Sequence, residues 1–301
     1  MPFASAIDSY RLYYERRGEG HPVVAVHGSP GDGSEYAKVV PAIAHKADVI
    51  VPDLRGFGRS DKHLDGPPDA FSRDGQVRAV IALMDELRIK KAVLVGYDIG
   101  GFVVQTVAAR RPDLVGAMVL SPPLPGAGRR ILTPEAVQAF FHAALFQTSL
   151  VEEVFDGRPE AIRALLGYCL ETWSGPGSTV REELVDHLTE MHAAKGTFTA
   201  GISWFRHDEG NPITAYAREV TPAREARATT PTTVLWPEHD PLFPTAWSDR
   251  LDEFFTDFEL RFLPQAGHFA PLEAPQDFAE AILRRIDVAR RGAGEPLKPA
   301  R

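Results

Sequence analysis

The sequence predicts an α/β protein: a mostly parallel sheet with helices on both faces, interrupted once by an all-helical insertion. Three observations predict it. Short apolar runs of strand length alternate with helical periodicity over the first 125 residues, which is the pattern of repeated βαβ units. Several of those runs end in glycine-rich loops, and ligands of such sheets bind beyond the carboxyl ends of the strands. Helical periodicity without a convincing strand then fills residues 127–228, after which the strand pattern resumes.

Taken in order, residues 10–17 read as a strand and Gly18-Glu19-Gly20 as a hairpin turn. Residues 22–27 form the continuous apolar run expected of a strand buried on both faces. That run ends in His27-Gly28-Ser29-Pro30-Gly31, a loop able to aim backbone N–H groups into a site. Residues 36–47 read as a helix and 47–52 as the next strand, which leads into the glycine-rich segment 53–61. Residues 76–87 carry an apolar helical face of Val77, Val80, Ile81, Leu83 and Met84. Residues 92–95 and 114–120 are further strands. In the insertion, helices are predicted over 135–146, 151–154, 158–168, 181–194 and 198–206. Strands return at 232–236 and 258–263, and residues 274–289 make a closing helix. The division is a first core segment 1–126, a helical cap 127–228, a second core segment 229–290 and a tail 291–301 expected to fray.

Composition narrows the function. The chain has 301 residues and is 44% apolar, enough for one large core. Its net charge of -8, with no basic run, argues against a nucleic-acid partner. Cys169 is the sole cysteine, so neither an internal disulfide nor a cysteine metal cluster can form. No apolar stretch reaches the length of a membrane span, and the first residues lack a basic region followed by an apolar run. A cytoplasmic protein acting on a small molecule, with neither membrane nor nucleic acid as partner, is the expectation.

The stretch that carries chemistry is Gly96-Tyr97-Asp98-Ile99-Gly100-Gly101. It joins a buried strand to a helix-forming segment through a Gly-x-x-x-Gly turn, the context of a nucleophile elbow. Its middle residue is Asp98 where most elbows carry Ser. A carboxylate there can attack carbon and form an ester with the protein, and the N-terminus of the next helix favours its charge. Hydrolysing that ester takes a base and an acid that orients it. His268 follows the last strand, and Asp240 stands at the end of the strand before it. Taken singly, Asp98 could be a helix cap, His268 a surface residue and Asp240 a turn former before Pro241. Together they fall in three strand-end loops in the order nucleophile, acid, His. The backbone N–H groups of Ser29 and Ile99 are the expected oxyanion hole. No metal or organic cofactor is implied.

On these residues the chain resembles the epoxide hydrolase and dehalogenase branch of the α/β-hydrolase superfamily over about residues 10–290. His27-Gly28-Ser29-Pro30 is similar to the His-Gly-x-Pro loop of epoxide hydrolases, and Gly96 to Gly101 matches the elbow with an Asp nucleophile. The resemblance implies a helical cap, attack of Asp98 on an epoxide or carbon–halogen bond, and water activation by the His268–Asp240 pair. Dimers are common in the branch, so the resemblance leaves a homodimer open while the sequence itself is silent on oligomeric state. Two cap tyrosines usually assist the epoxide oxygen. Here the matching stretches carry His142 and Phe205, which leaves His142, Trp204 and Tyr216 as donor candidates. Phe141 and Phe205 are expected to line the pocket, with an apolar or aromatic epoxide as substrate. Ile99 stands where haloacetate dehalogenases carry Arg and haloalkane dehalogenases carry Trp. The alternatives are a dehalogenase with the same triad and a non-catalytic ligand-binding protein of this fold.

Overall fold

A computed structural model of the protein describes residues 3–292. The first core segment runs β1 (Tyr14–Arg17), β2 (His21–Val26), α1 (Val39–Ile43), β3 (Ala47–Pro52), α2 (Arg73–Glu86), β4 (Ala92–Gly96), α3 (Ile99–Arg110) and β5 (Val115–Leu120). Between β5 and β6 the chain holds helices and no strand: α4 (Pro134–Ala139), α5 (Phe141–Leu145), α6 (Leu150–Val154), α7 (Pro159–Thr172), α8 (Val180–His192), α9 (Thr197–Ile202) and α10 (Pro212–Ala217), with short 3-10 turns. The core then completes itself with β6 (Thr232–Pro237), β7 (Phe258–Leu263), α11 (Ala270–Glu273) and α12 (Pro275–Gly292).

The seven strands form one sheet in the order β1-β3-β2-β4-β5-β6-β7, parallel except for β1. Alternation along the strands sorts the core into two layers. Val24, Val26, Leu94, Met118 and Leu120 face α2 and α3, and this layer continues into the helical insertion. Val23, Ala25, Val93, Val95, Ala117 and Val119 face α1 and α12. Strands buried on both faces have no polar side, which is why these runs read as continuously apolar. Each Val, Leu and Met among them contributes about 1.5–3 kcal/mol by leaving water.

Local departures from the expected elements have physical causes. The predicted hairpin at Gly18-Glu19-Gly20 joins strands that are not neighbours, because β3 lies between β1 and β2. Gly20, at φ +140°, passes so close to β3 that a Cβ would stand 2.2 Å from the Lys46 carbonyl. The helix expected over 36–47 is shorter, because Asp32 caps a separate 3-10 turn at Gly33–Tyr36 by accepting from the Ser34 N–H. The helix expected over 135–146 breaks at Phe140, whose ring turns inward against Phe243. α10 was not expected, although Asn211-Pro212 is a helix start: Asn211 accepts from the Thr214 N–H and Pro212 occupies the first turn. Of the predicted tail, Arg291 belongs to α12, and 293–301 lie outside the described residues. Among the described residues no helix is long and apolar enough to cross a membrane.

Candidate active site

β4 delivers Asp98 to the carboxyl edge of the sheet. The turn is strained: Asp98 has φ +47° and ψ -133°, which a non-glycine residue holds only when its surroundings impose it. Its N–H is anchored on the Pro122 carbonyl at 2.9 Å. The close crossing behind it explains the glycines. A Cβ on Gly96 would stand 2.5 Å from the Gly100 carbonyl oxygen, and one on Gly100 would stand 2.2 Å from that of Val26. Gly100→Ala is therefore expected to destabilise the fold by about 1–3 kcal/mol or more through overpacking against backbone. Chemical unfolding measures this, and an unchanged midpoint would refute the crowding.

Three strand-end loops converge on the Asp98 carboxylate. The Ser29 N–H donates to Oδ1 at 2.6 Å. His268 presents Nε2 3.4 Å from Oδ2, and its Nδ1 lies 2.9 Å from Asp240 Oδ2. Asp240 in turn accepts the Leu242 N–H at 2.8 Å, and the His268 N–H donates to the Trp173 carbonyl at 2.7 Å. His268 and Asp240 are buried, while the Asp98 side chain keeps 16% of its surface exposed. Burial opposes charge on Asp98, but His268 and the Ser29 and Ile99 N–H groups outweigh it and hold its pKa below the ordinary value. Burial likewise opposes the His268 cation. Asp240 and Asp98 overcome this, and the pKa rises to about 10. At rest the pair is thus carboxylate and imidazolium.

The loops are held from behind. His27 Nε2 accepts the Leu54 N–H at 2.9 Å, which leaves Nδ1 to donate to the Gly28 carbonyl at 2.7 Å and ties the loop after β2 to the loop after β3. Glu35, fully buried, accepts the Gly28 N–H at 3.0 Å. From the insertion, α8 grips the same loop. His187 Nε2 lies 2.7 Å from Asp32, and His192 Nε2 lies 3.2 Å from the Pro30 carbonyl.

Above Asp98 is a mainly apolar cavity shared between core and insertion. Ser29, Pro30, Phe57 and Asp98 form its floor, and residues of α5, α7, α8 and α9, among them His142, Cys169 and His192, form its walls together with Trp173 and Phe205. His142 is 5% exposed and ringed by Phe140, Phe141, Phe146, Trp173 and Phe205. Burial lowers its pKa to about 4, so the imidazole is neutral, and its Nδ1 has no partner.

The expected residues divide accordingly. Asp98, Asp240, His268, Ser29 and Ile99 come together, and His142 and Phe205 reach the cavity. Three others do not. Trp204 is fully buried in the core of the insertion, off the cavity wall. Tyr216 is turned away by α10 and spends its hydroxyl on the Leu124 carbonyl at 3.0 Å. Phe141 stands one layer back, packed on Tyr168 and Trp173. His192 was missed, although Leu184, Leu188 and His192 form one buried stripe of α8, and a His in an apolar stripe is a visible signal. Among the described residues no group of three His, Cys, Asp or Glu side chains is arranged to hold a metal ion.

The family profile described as α/β hydrolase fold matches residues 21–165. An epoxide hydrolase from metagenomes of hot environments superposes with a TM-score of 0.78 at 22% identity, over 94% of this chain and 97% of that one. The chain has the α/β-hydrolase fold. Relatives within this fold include the soluble epoxide hydrolase of Corynebacterium sp. (strain C12), 27% identical over 92% of this chain and 94% of the relative. Haloalkane dehalogenase 2 of Mycobacterium tuberculosis is 25% identical over 92% and 91%. Both span nearly the whole length of this α/β-hydrolase chain, insertion included.

Proposed function

We propose that the protein is an epoxide hydrolase that opens an oxirane to a vicinal diol through an ester on Asp98, with residues 127–228 as the cap over a core of 1–126 and 229–290. The observation that carries this reading is the Asp98 carboxylate itself, ionised at the floor of an apolar cavity and flanked by a His–Asp pair.

In the first step an Asp98 oxygen attacks a ring carbon, a C–O bond forms, and the ring C–O bond breaks to leave an alkoxide. His142 holds that oxygen through a ring N–H. The alkoxide takes the His268 proton, which Asp98 no longer retains once its charge is lost to the ester. Neutral His268 then removes a proton from water, and the hydroxide adds to the ester carbonyl. The Ser29 and Ile99 N–H groups stabilise the tetrahedral oxyanion. Collapse expels the diol as its alkoxide, which His268 reprotonates. The Asp98 proton then passes to His268 and restores the resting pair.

The test is a two-armed assay. Aryl and alkyl epoxides are followed for diol, haloacetates and haloalkanes for halide, and Asp98→Asn serves as the blank. Diol formation that vanishes in the blank is expected; halide release without diol would overturn the reading in favour of a dehalogenase. Ligand binding without turnover in either arm would favour a binding protein. In single-turnover experiments His142→Phe should slow alkylation about 10²-fold, the usual scale for losing one such donor, while ester hydrolysis changes little. Equal slowing of both steps would remove His142 from the first step.

A further inference from the structure

His268 is held by more than Asp240, and part of that hold comes from the insertion. The segment Trp173-Ser174-Gly175, which follows α7, crosses the loop after β7. The His268 N–H donates to the Trp173 carbonyl at 2.7 Å. Glu273, the last residue of α11, makes the return contact. Its Oε2 accepts the Gly175 N–H and the Gly267 N–H, both at 2.7 Å. The Phe269 N–H acts on the same carboxyl group. One carboxyl group therefore meets the residues on both sides of His268 and one residue of the insertion. The crossing leaves no room for side chains. A Cβ on Gly175 would stand 2.2 Å from the Gln265 carbonyl oxygen, and one on Gly267 would stand 2.4 Å from that of Trp173. Burial raises the Glu273 pKa, while these N–H groups and the His268 cation favour its charge. Removing a shared acceptor leaves its buried donors unpaired, so the crossing depends on this one side chain.

We propose that Glu273 is a positioning residue for the second step: it clamps segment 173–175 of the insertion onto the His268 loop and so sets the imidazole against the Asp98 ester. The inference rests on the epoxide-opening reading and adds a residue to its hydrolytic half. Water activation needs His268 Nε2 at the attacked carbonyl, and the ring follows the peptide groups on either side of it as well as Asp240. Asp98 is anchored differently. Its carboxylate takes the Ser29 N–H and its own N–H goes to the Pro122 carbonyl, contacts that do not include Glu273. Loss of Glu273 therefore falls on the base and spares the nucleophile. Trp173, whose carbonyl takes the His268 N–H, is also a wall of the cavity. Seating this part of the insertion and placing the base are one event.

The experiment follows the two half-reactions by single-turnover kinetics with an aryl epoxide. In Glu273→Leu ester hydrolysis should slow about 10²-fold, the scale of misplacing a reacting group by about 1 Å, while alkylation changes far less. The ester then builds up on Asp98 and is seen by intact mass. Glu273→Gln keeps an oxygen acceptor and should recover most of the hydrolytic rate. Gly175→Ala attacks the crossing from the insertion side and should also slow hydrolysis more than alkylation. Equal slowing of both steps, unchanged hydrolysis in Glu273→Leu, or a glutamine variant no better than leucine would overturn the proposal. A further measurement needs no variant to fold. In the unaltered protein the Gly175 and Gly267 amide protons should be protected from hydrogen exchange although both lie in loops, and rapid exchange at Gly175 would also overturn it. Failure of the epoxide reading itself is recognised separately, as the absence of any Asp98 ester by mass in His268→Gln.

Discussion

In His268→Gln the ester on Asp98 is expected to accumulate, seen as an intact-mass increase equal to the epoxide and mapped to the peptide that contains residue 98. Glutamine fills much of the imidazole volume but cannot accept a proton from water. The nucleophile survives the change, since the Ser29 and Ile99 N–H groups remain to favour its charge. Alkylation loses the resting proton of His268, yet a hydrogen bond from His142 and bulk water still serve the alkoxide. Hydrolysis loses the base that faces the Asp98 carboxyl group, and general-base removal costs about 10²–10⁴ in rate. The two half-reactions therefore separate: a burst of alkylation, then a block. Steady-state turnover that falls without any mass increase would mean that His268 acts before the ester forms.

Most of what places the site is legible in the sequence because it depends on local rules. A strand buried on both faces must be apolar throughout, so 92–95 announces β4 at the centre of the sheet. The crossing of strand, turn and helix at Asp98 tolerates no Cβ on Gly96 or Gly100, so the glycines mark the elbow. Asp240 and His268 follow consecutive strands, and parallel pairing of β6 with β7 alone brings their loops together.

The insertion was less legible because its geometry comes from packing. Whether an aromatic side chain reaches the cavity depends on a rotation of one short helix. The break at Phe140 turns that ring to Phe243 and His142 to the cavity, while Phe141 is left one layer behind. Tyr216 was a candidate only by residue type. Its partner, the Leu124 carbonyl, lies 92 residues away, and no local pattern marks the pair. The same holds for the order of β1 and β3. Glycines at 18 and 20 signal a turn, but not that a third strand lies between the two they join.

The second large effect is a dependence of stability on pH that Asp98→Asn should remove in part. His268 titrates at about 10 in the folded protein, against an ordinary value of 6.5. Below pH 6.5 both folded and unfolded chains hold the proton, and the contribution is complete. Between 6.5 and 10 the unfolded chain has lost it while the folded one keeps it, so stability falls as pH rises. Integrated over that window the loss is about 4–5 kcal/mol at 1.36 kcal/mol per pH unit. Asp98→Asn deletes one of the two carboxylates that hold the proton and leaves Asp240, so the fall should be shallower and should end at lower pH. Urea unfolding at pH 6, 8 and 10 on both proteins measures it. Other groups that titrate in this range are common to the two and cancel in the difference. Parallel curves would mean that Asp98 does not hold the His268 proton. The comparison also bears on catalysis, because an amide and an ester at position 98 are both uncharged. Asp98→Asn therefore reproduces the field that His268 feels after alkylation. A lowered His268 pKa in that variant, read by NMR, would be the same change that turns the resting imidazolium into the base of the second step.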